Sequence, residues 1–303
     1  MKSATWPAAC APMVWGIPST LTKKAVITAS IAFQPLLRLK YSSKPMAANF
    51  CLLLTGKEAT GGHAAASEES MCGRVIVRTT IAGLINNFTF AHRKEGDGLD
   101  DLPPRYNGSP RQDYPLIIHE DDVEGPVFVS ANWGFIPGWM KDPKGGPRPI
   151  NARKEGITTN GMFRHAYKSR RALMPIDGFF EWKAIKGSKV KQPYAIAMKS
   201  LQPFCIAGIW EHWFDHELGR RIRTFCILTC EPNELMATIH DRMPVILHPE
   251  DYQRWIANIE PDPADLLVPF PADLMTMWPV STKVGNPRNN TPDVVEETPT
   301  VPQ

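Results

Sequence analysis

The chain has 303 residues, a formal net charge of +3, and 43 % hydrophobic against 21 % charged residues. That length holds one large domain or two small ones, and that balance suits a packed core rather than a solvated tail. The charge is too small to mark a nucleic-acid binder by its total, and no apolar run approaches the ~18–20 residues that span a bilayer.

Residues 1–70 read apart from the rest. No acidic residue precedes Glu58, whereas Lys2, Lys23, Lys24, Arg38, Lys40, Lys44 and Lys57 are basic, and Gly61-Gly62 with Ala64–Ala66 reads as linker. This pattern fits a disordered extension made from a start codon set too far upstream, or a basic targeting peptide. The first is favoured, because Met71 directly precedes the first well-patterned segment. The six cysteines, Cys10, Cys51, Cys72, Cys205, Cys226 and Cys230, lack disulfide-scaffold spacing. They point to a reducing, cytoplasmic setting.

From Cys72 the texture becomes that of short strands. Residues 72–79 predict a strand, 81–90 a short helix, 94–101 a loop and 126–135 a strand. Residues 172–175 and 179–182 predict two strands around an Asp177-Gly178 turn. Residues 193–198, 204–213 and 221–229 are further strands, rich in β-branched and aromatic side chains. Asn233 caps a short helix through Ile239, 244–247 is a strand, and 249–257 is a helix with Glu250 and Asp251 in its first turn. The tail from 286 to 303 is Pro-, Thr- and acid-rich and predicts disorder. The fold class is α+β, a mainly antiparallel, barrel-like β core with a few short helices over residues 71–285.

Met71-Cys72-Gly73-Arg74 carries the sharpest chemistry. With Met71 removed, Cys72 presents an α-amine of pKa about 7.7–8.0 and a thiol of about 8.5, both partly nucleophilic near neutral pH. An amine and a thiol two carbons apart trap an aldehyde as a Schiff base that closes to a thiazolidine. The plain alternative is a small buried residue at the head of a strand. Glu181, between Phe180 and Trp182, is either a desolvated acid/base or an outward, solvated residue of an alternating strand. Asn151 binds a substrate oxygen or satisfies loop backbone. His240, at the end of a short helix, is a proton carrier or a dipole partner. Arg74, Arg153 and Arg242 each stand beside one of these candidates, as a phosphate backbone requires, or are scattered solvated charges. Trp133 and Trp139 flank a Pro/Gly bend and offer faces for base stacking, with core packing expected for at least one. Cys226 and Cys230 with His212 and His216 lack structural zinc spacing, so no metal or other cofactor is expected. Walker, dinucleotide and Gly-x-Ser-x-Gly motifs are missing from the sequence.

Met71–Arg74, Arg105-Tyr106-Asn107, Trp133–Pro137, Asn151-Ala152-Arg153, Pro175–Trp182 and Ile239–Pro244 occur in the order typical of SRAP proteins. Together they make the chain resemble this SOS-response-associated peptidase, or abasic-site processing, family from Cys72 to about Ser281. The resemblance implies a sensor of abasic sites in single-stranded and replication-fork DNA. It implies a thiazolidine crosslink at Cys72, a self-processing peptidase activity and lyase-like chemistry. It assigns catalysis to Cys72, Asn151, Glu181 and His240, and DNA contact to Arg74, Trp133, Arg153, Trp182, Thr229 and Arg242. No oligomerisation signal stands in the sequence, so a monomer is the default, acting at the nucleoid with no membrane partner. Two other classes stay open: a cysteine peptidase acting in trans, with Cys72 as thiolate and His240 as base, and a non-catalytic single-strand DNA binder.

Overall fold

The computed structural model describes residues 72–94, 96–141, 146–257 and 262–300. The expected extension over residues 1–70 lies outside the described residues.

In chain order the strands are β1 (Val75–Val77), β2 (His92–Arg93), β3 (Arg105–Gly108), β4 (Asp113–His119), β5 (Pro126–Trp133), β6 (Asn151–Arg153), β7 (Arg171–Ile176), β8 (Gly178–Ala184), β9 (Lys191–Met198), β10 (Phe204–Asp215), β11 (Arg220–Cys230), β12 (Met243–Pro244) and β13 (Met275–Pro279). Three short helices interrupt them, α1 (Ile81–Asn87), α2 (Arg164–Ser169) and α3 (Tyr252–Ile256). One sheet runs β13-β9-β8-β1-β3. The other runs β12-β11-β10-β7-β4-β5-β2, and β11 also pairs in parallel with β5, so β5, β4, β7, β10 and β11 close into a barrel. Closure removes the exposed edges that an open antiparallel sheet would present.

Aromatic packing seals the β5–β11 seam. Trp133 stacks on Phe225 at 6.3 Å between centroids and meets Tyr114 edge-on at 5.7 Å. Such pairs add about 0.5–1.5 kcal/mol each beyond the area they bury. Trp133 has no exposed surface, and its indole N–H donates to the Ile150 carbonyl at 2.9 Å.

Three expectations need correction. Asp177-Gly178 is not a hairpin turn: β7 belongs to the barrel and β8 to the other sheet, so this dipeptide carries the chain between sheets. The buried Asp177 carboxylate pins the crossover by accepting from the Arg78 and Thr79 backbone N–H groups, at 2.7 and 2.9 Å, and from the Thr79 hydroxyl. At Gly178, a side chain would run into the Ile196 carbonyl of β9. Residues 286–300 are packed rather than disordered: Val294 is buried, Val280 bridges Glu297, and the Trp278 indole N–H donates to the Val295 carbonyl at 2.9 Å. The apolar Val294 and Val295 supply an anchor that a composition-based reading averages away. The short helix before His240 is a single 3-10 turn, Met236–Thr238, although Asn233 caps it as expected through a 2.9 Å bond from the Met236 N–H.

Candidate active site around Cys72

The register of β1 against β8 builds the site. Val75 lies opposite Phe179, and the Phe180 N–H donates to the Arg74 carbonyl at 3.0 Å. Continuing that antiparallel register toward the start of β1 brings Cys72 to the level of Glu181 and Trp182. The Cys72 backbone N–H donates to Oε1 of Glu181 at 2.7 Å. Cys72 is 1 % and Glu181 5 % exposed, so the contact is shielded from water. Glu181 therefore faces inward, against the solvated alternative. Phe180, on the opposite face of β8, is buried in a separate cluster with Ile76 and Val280.

Burial raises the Glu181 carboxyl above the ordinary carboxylate value, while the nearby His240 charge and the Cys72 N–H pull it down. Burial, then the Glu181 charge, pushes the Cys72 thiol well above the usual thiol value. A reactive thiolate needs the opposite setting, a cation or helix N-terminus that lowers its pKa. Cys72 also holds φ at +36°, in the left-handed region that non-glycine residues seldom adopt.

His240 follows the 3-10 turn and is fixed by its own N–H to the Met236 carbonyl at 2.8 Å. Its Nδ1 lies 3.1 Å from the Arg242 backbone N–H and 3.0 Å from Oδ1 of Asp241. Nδ1 accepts from the first.

Asn151 and Arg153 lie on β6, which runs parallel to β11 with Asn151 opposite Ile227 and Arg153 opposite Thr229. Two residues apart on a strand, they share a face; Asn151 is half-buried and Arg153 exposed. Arg242 reaches the same corner. It donates to both carboxylate oxygens of Glu155, at 2.5 and 3.1 Å, and to the Thr229 carbonyl at 2.8 Å. Sequence reasoning missed Glu155, for which an acid after Asn-Ala-Arg was the available signal.

The expected DNA contacts divide. Arg153 is exposed and Trp182 half-exposed, so both present surface. Trp133 and Thr229 have 0 % exposure, the first sealing the barrel seam and the second lying under Arg242, so neither presents surface to a strand. Trp139, the other aromatic of that bend, is 66 % exposed. Arg74 is tied inward: it donates to Asn107 Oδ1 at 2.8 Å and to the Val284 carbonyl at 2.6 Å, and lies 5.6 Å above the Trp182 ring. Nothing in the motif Arg105-Tyr106-Asn107 announces this partnership of Asn107 with Arg74. Among the described residues, no group of three or more His, Cys, Asp or Glu is placed to hold a metal ion, and no helix is long and apolar enough to cross a membrane.

Residues 71–287 match the family described as SOS response associated peptidase (SRAP). The chain is 39 % identical over 230 residues to the abasic site processing protein YoqW of Bacillus subtilis, covering 75 % of this chain and 99 % of that protein. It is 34 % identical over 198 residues to the abasic site processing protein YedK of Escherichia coli, covering 63 % of this chain and 84 % of that protein. A crystal structure of a protein from Bacteroides thetaiotaomicron superposes with a TM-score of 0.66 at 26 % identity, covering 75 % of this chain and all of that one. With a barrel of matching shape and a family match across most of its length, the chain belongs to the SOS response associated peptidase family.

Proposed function

We propose that the protein captures abasic sites in single-stranded DNA covalently through Cys72, once residues through Met71 have been removed. The observation that carries this reading is the 2.7 Å contact between the Cys72 backbone nitrogen and the buried Glu181 carboxylate. While residue 71 is attached, that nitrogen is an amide and does not attack a carbonyl. Freed, it is an α-amine already seated beside a proton acceptor. The names of YoqW and YedK, abasic site processing proteins, support the same substrate class.

The Cys72 amine adds to the aldehyde carbon of the ring-opened sugar, and the carbinolamine loses one water to give an imine. The Cys72 thiol then adds to the imine carbon, and its proton ends on the ring nitrogen. Glu181 and His240 carry protons during ring opening and imine formation, and Asn151 binds the sugar hydroxyl. The raised Glu181 pKa, caused chiefly by burial, favours the protonated form that a general acid uses.

The left-handed φ at Cys72 supports removal of residue 71. Such a conformation costs about 1–3 kcal/mol, and the clash disappears when no carbonyl precedes the residue. The strongly raised thiol pKa speaks against a thiolate peptidase acting in trans.

Intact mass spectrometry before and after incubation with single-stranded DNA bearing one abasic site tests the proposal. The expected result is a chain beginning at Cys72 that gains the mass of the DNA less one water, and no stable adduct from Cys72→Ala. A full yield of adduct from Cys72→Ala would overturn it.

A further inference from the structure

A basin of about 950 Å³ opens at the barrel end where β11 begins, and it is lined by Arg105, Arg111, Arg148, Arg220, Arg221 and Arg223. None of Cys72, Glu181, His240 or Asn151 lines it. Three acids also face it, Asp97, Asp101 and Asp113. Asp97 is committed to Arg93 at 2.7 Å, and Arg223 to Glu120. Oδ1 of Asp113 accepts from the Asn132 amide at 2.8 Å. Five arginines thus face two available carboxylates.

Among the described residues, neither Arg111 nor Arg148 forms an ion pair. Arg111 and Arg148 line the same basin; burial lowers the Arg111 guanidinium from its ordinary value, and the Arg148 charge lowers it further. Arg148 donates through Nη2 to Asn132 Oδ1 at 3.0 Å, while its Nε is buried with no hydrogen-bond partner among the described residues. Arg111 holds φ at +71°, and its guanidinium occupies the space that a side chain on Gly134, at φ +144°, would need. Strained backbone and juxtaposed like charges persist where the surrounding structure enforces them, and an anion relieves the second.

We infer that this basin is a second DNA contact, holding phosphodiester groups at a distance from the captured sugar through Arg111, Arg148, Arg220 and Arg221. The inference rests on the proposed capture at Cys72. Guanidinium forks match phosphate oxygens in charge and geometry. Along β11 from Thr229, beside Arg242, back to Arg221 is eight residues, at most ~27 Å at ~3.4 Å per residue. At the ~3.4 Å per phosphate of one strand in a duplex that distance is about eight phosphates, and fewer in a more extended single strand. One DNA molecule of modest length thus reaches both sites.

The test is the salt dependence of binding, read by fluorescence anisotropy with the full-length chain and its R220E/R221E variant. Arg220 and Arg221 are exposed, and neither makes a described side-chain hydrogen bond or ion pair, so the variant keeps its fold. The probes are a long DNA of about 40 nucleotides and a short one of about 6, each with a reduced abasic site that cannot crosslink. R220E/R221E is expected to weaken the long DNA at least tenfold at low salt, to flatten its log–log salt slope by about 1.5–2, and to leave the short DNA unchanged. R220Q/R221Q is expected to lie between the two. Equal affinity and slope for parent and variant on the long DNA would overturn the inference. So would variant-sensitive binding of inorganic tripolyphosphate with DNA binding unchanged, which assigns the basin to small free anions. Absence of a covalent adduct between the chain beginning at Cys72 and the same short DNA with its abasic site unreduced, with the long-DNA effect intact, would sink the Cys72 reading and leave the basin standing.

Discussion

The Arg74 guanidinium donates to Oδ1 of Asn107 at 2.8 Å, while Nδ2 of the same Asn107 reaches the carbonyls of Val284, Asn286 and Asn289 at 3.1, 3.0 and 2.8 Å. One buried amide thereby ties the segment that runs from Cys72 into β1 to the C-terminal segment. Asn107→Ala leaves buried carbonyls short of a donor and half-buried Arg74 with one partner fewer. The expected loss is about 2–3 kcal/mol, since a buried polar group stripped of its partner bears its full desolvation cost. Urea unfolding checks this: the midpoint should fall with the m-value unchanged.

That hub shows where sequence reading stops. The long strands β9, β10 and β11 were legible because their composition is β-branched and aromatic, and Cys72, Glu181 and His240 stood out as candidates because unusual chemistry stands in short motifs. Neither signal reports on partners far apart in the chain. Asn107 and Val284 are 177 residues apart, and nothing local to either announces the contact. The burial of Trp133 and exposure of Trp139 were equally hidden, because two tryptophans in one Gly/Pro bend have the same composition. Asp177-Gly178 misled because a turn dipeptide between two strands looks alike whether the strands pair with each other or with different sheets.

Glu181 makes stability depend on pH in a definite direction. Its folded pKa is raised, chiefly by burial. Between the ordinary carboxyl value of about 4.3 and that raised value, the folded chain holds a proton that the unfolded chain has released. Stability therefore falls as pH rises through this window and stays lower above it. Glu181→Gln keeps an oxygen for the Cys72 N–H but cannot ionise. It should melt above the parent at pH 8 and close to it at pH 4, while capture slows by about 10²–10⁴-fold for want of the proton carrier. A melting shift of the same size at both pH values would rule this account out.

Under the proposed function, Glu155 is expected to compete with DNA for Arg242. The guanidinium is held by both Glu155 oxygens, and the carboxylate is half exposed, so a phosphate can displace it. An exposed ion pair is worth about 0.2–1 kcal/mol. Glu155→Gln should tighten DNA binding by about twofold to fivefold at low salt, an advantage that shrinks as salt screens the phosphates. Titrations at two salt concentrations decide it; weaker binding by the variant would mean that Glu155 positions Arg242 for DNA instead of masking it.

Trp133 and Trp139 make a matched pair, six residues apart with opposite surroundings. Trp133 is enclosed between Phe225 and Tyr114, so Trp133→Ala opens a cavity at the seam where β5 meets β11, at a cost of about 3–5 kcal/mol. Trp139 is 66 % exposed on the bend after β5. Trp139→Ala should leave stability within about 0.5 kcal/mol and, if the ring stacks on a base, weaken single-strand DNA binding by about 1–3 kcal/mol. Thermal unfolding and anisotropy on both variants separate the roles. A Trp139→Ala protein that binds DNA like the parent would remove the aromatic contact from this bend, because the buried Trp133 has no face to offer in its place.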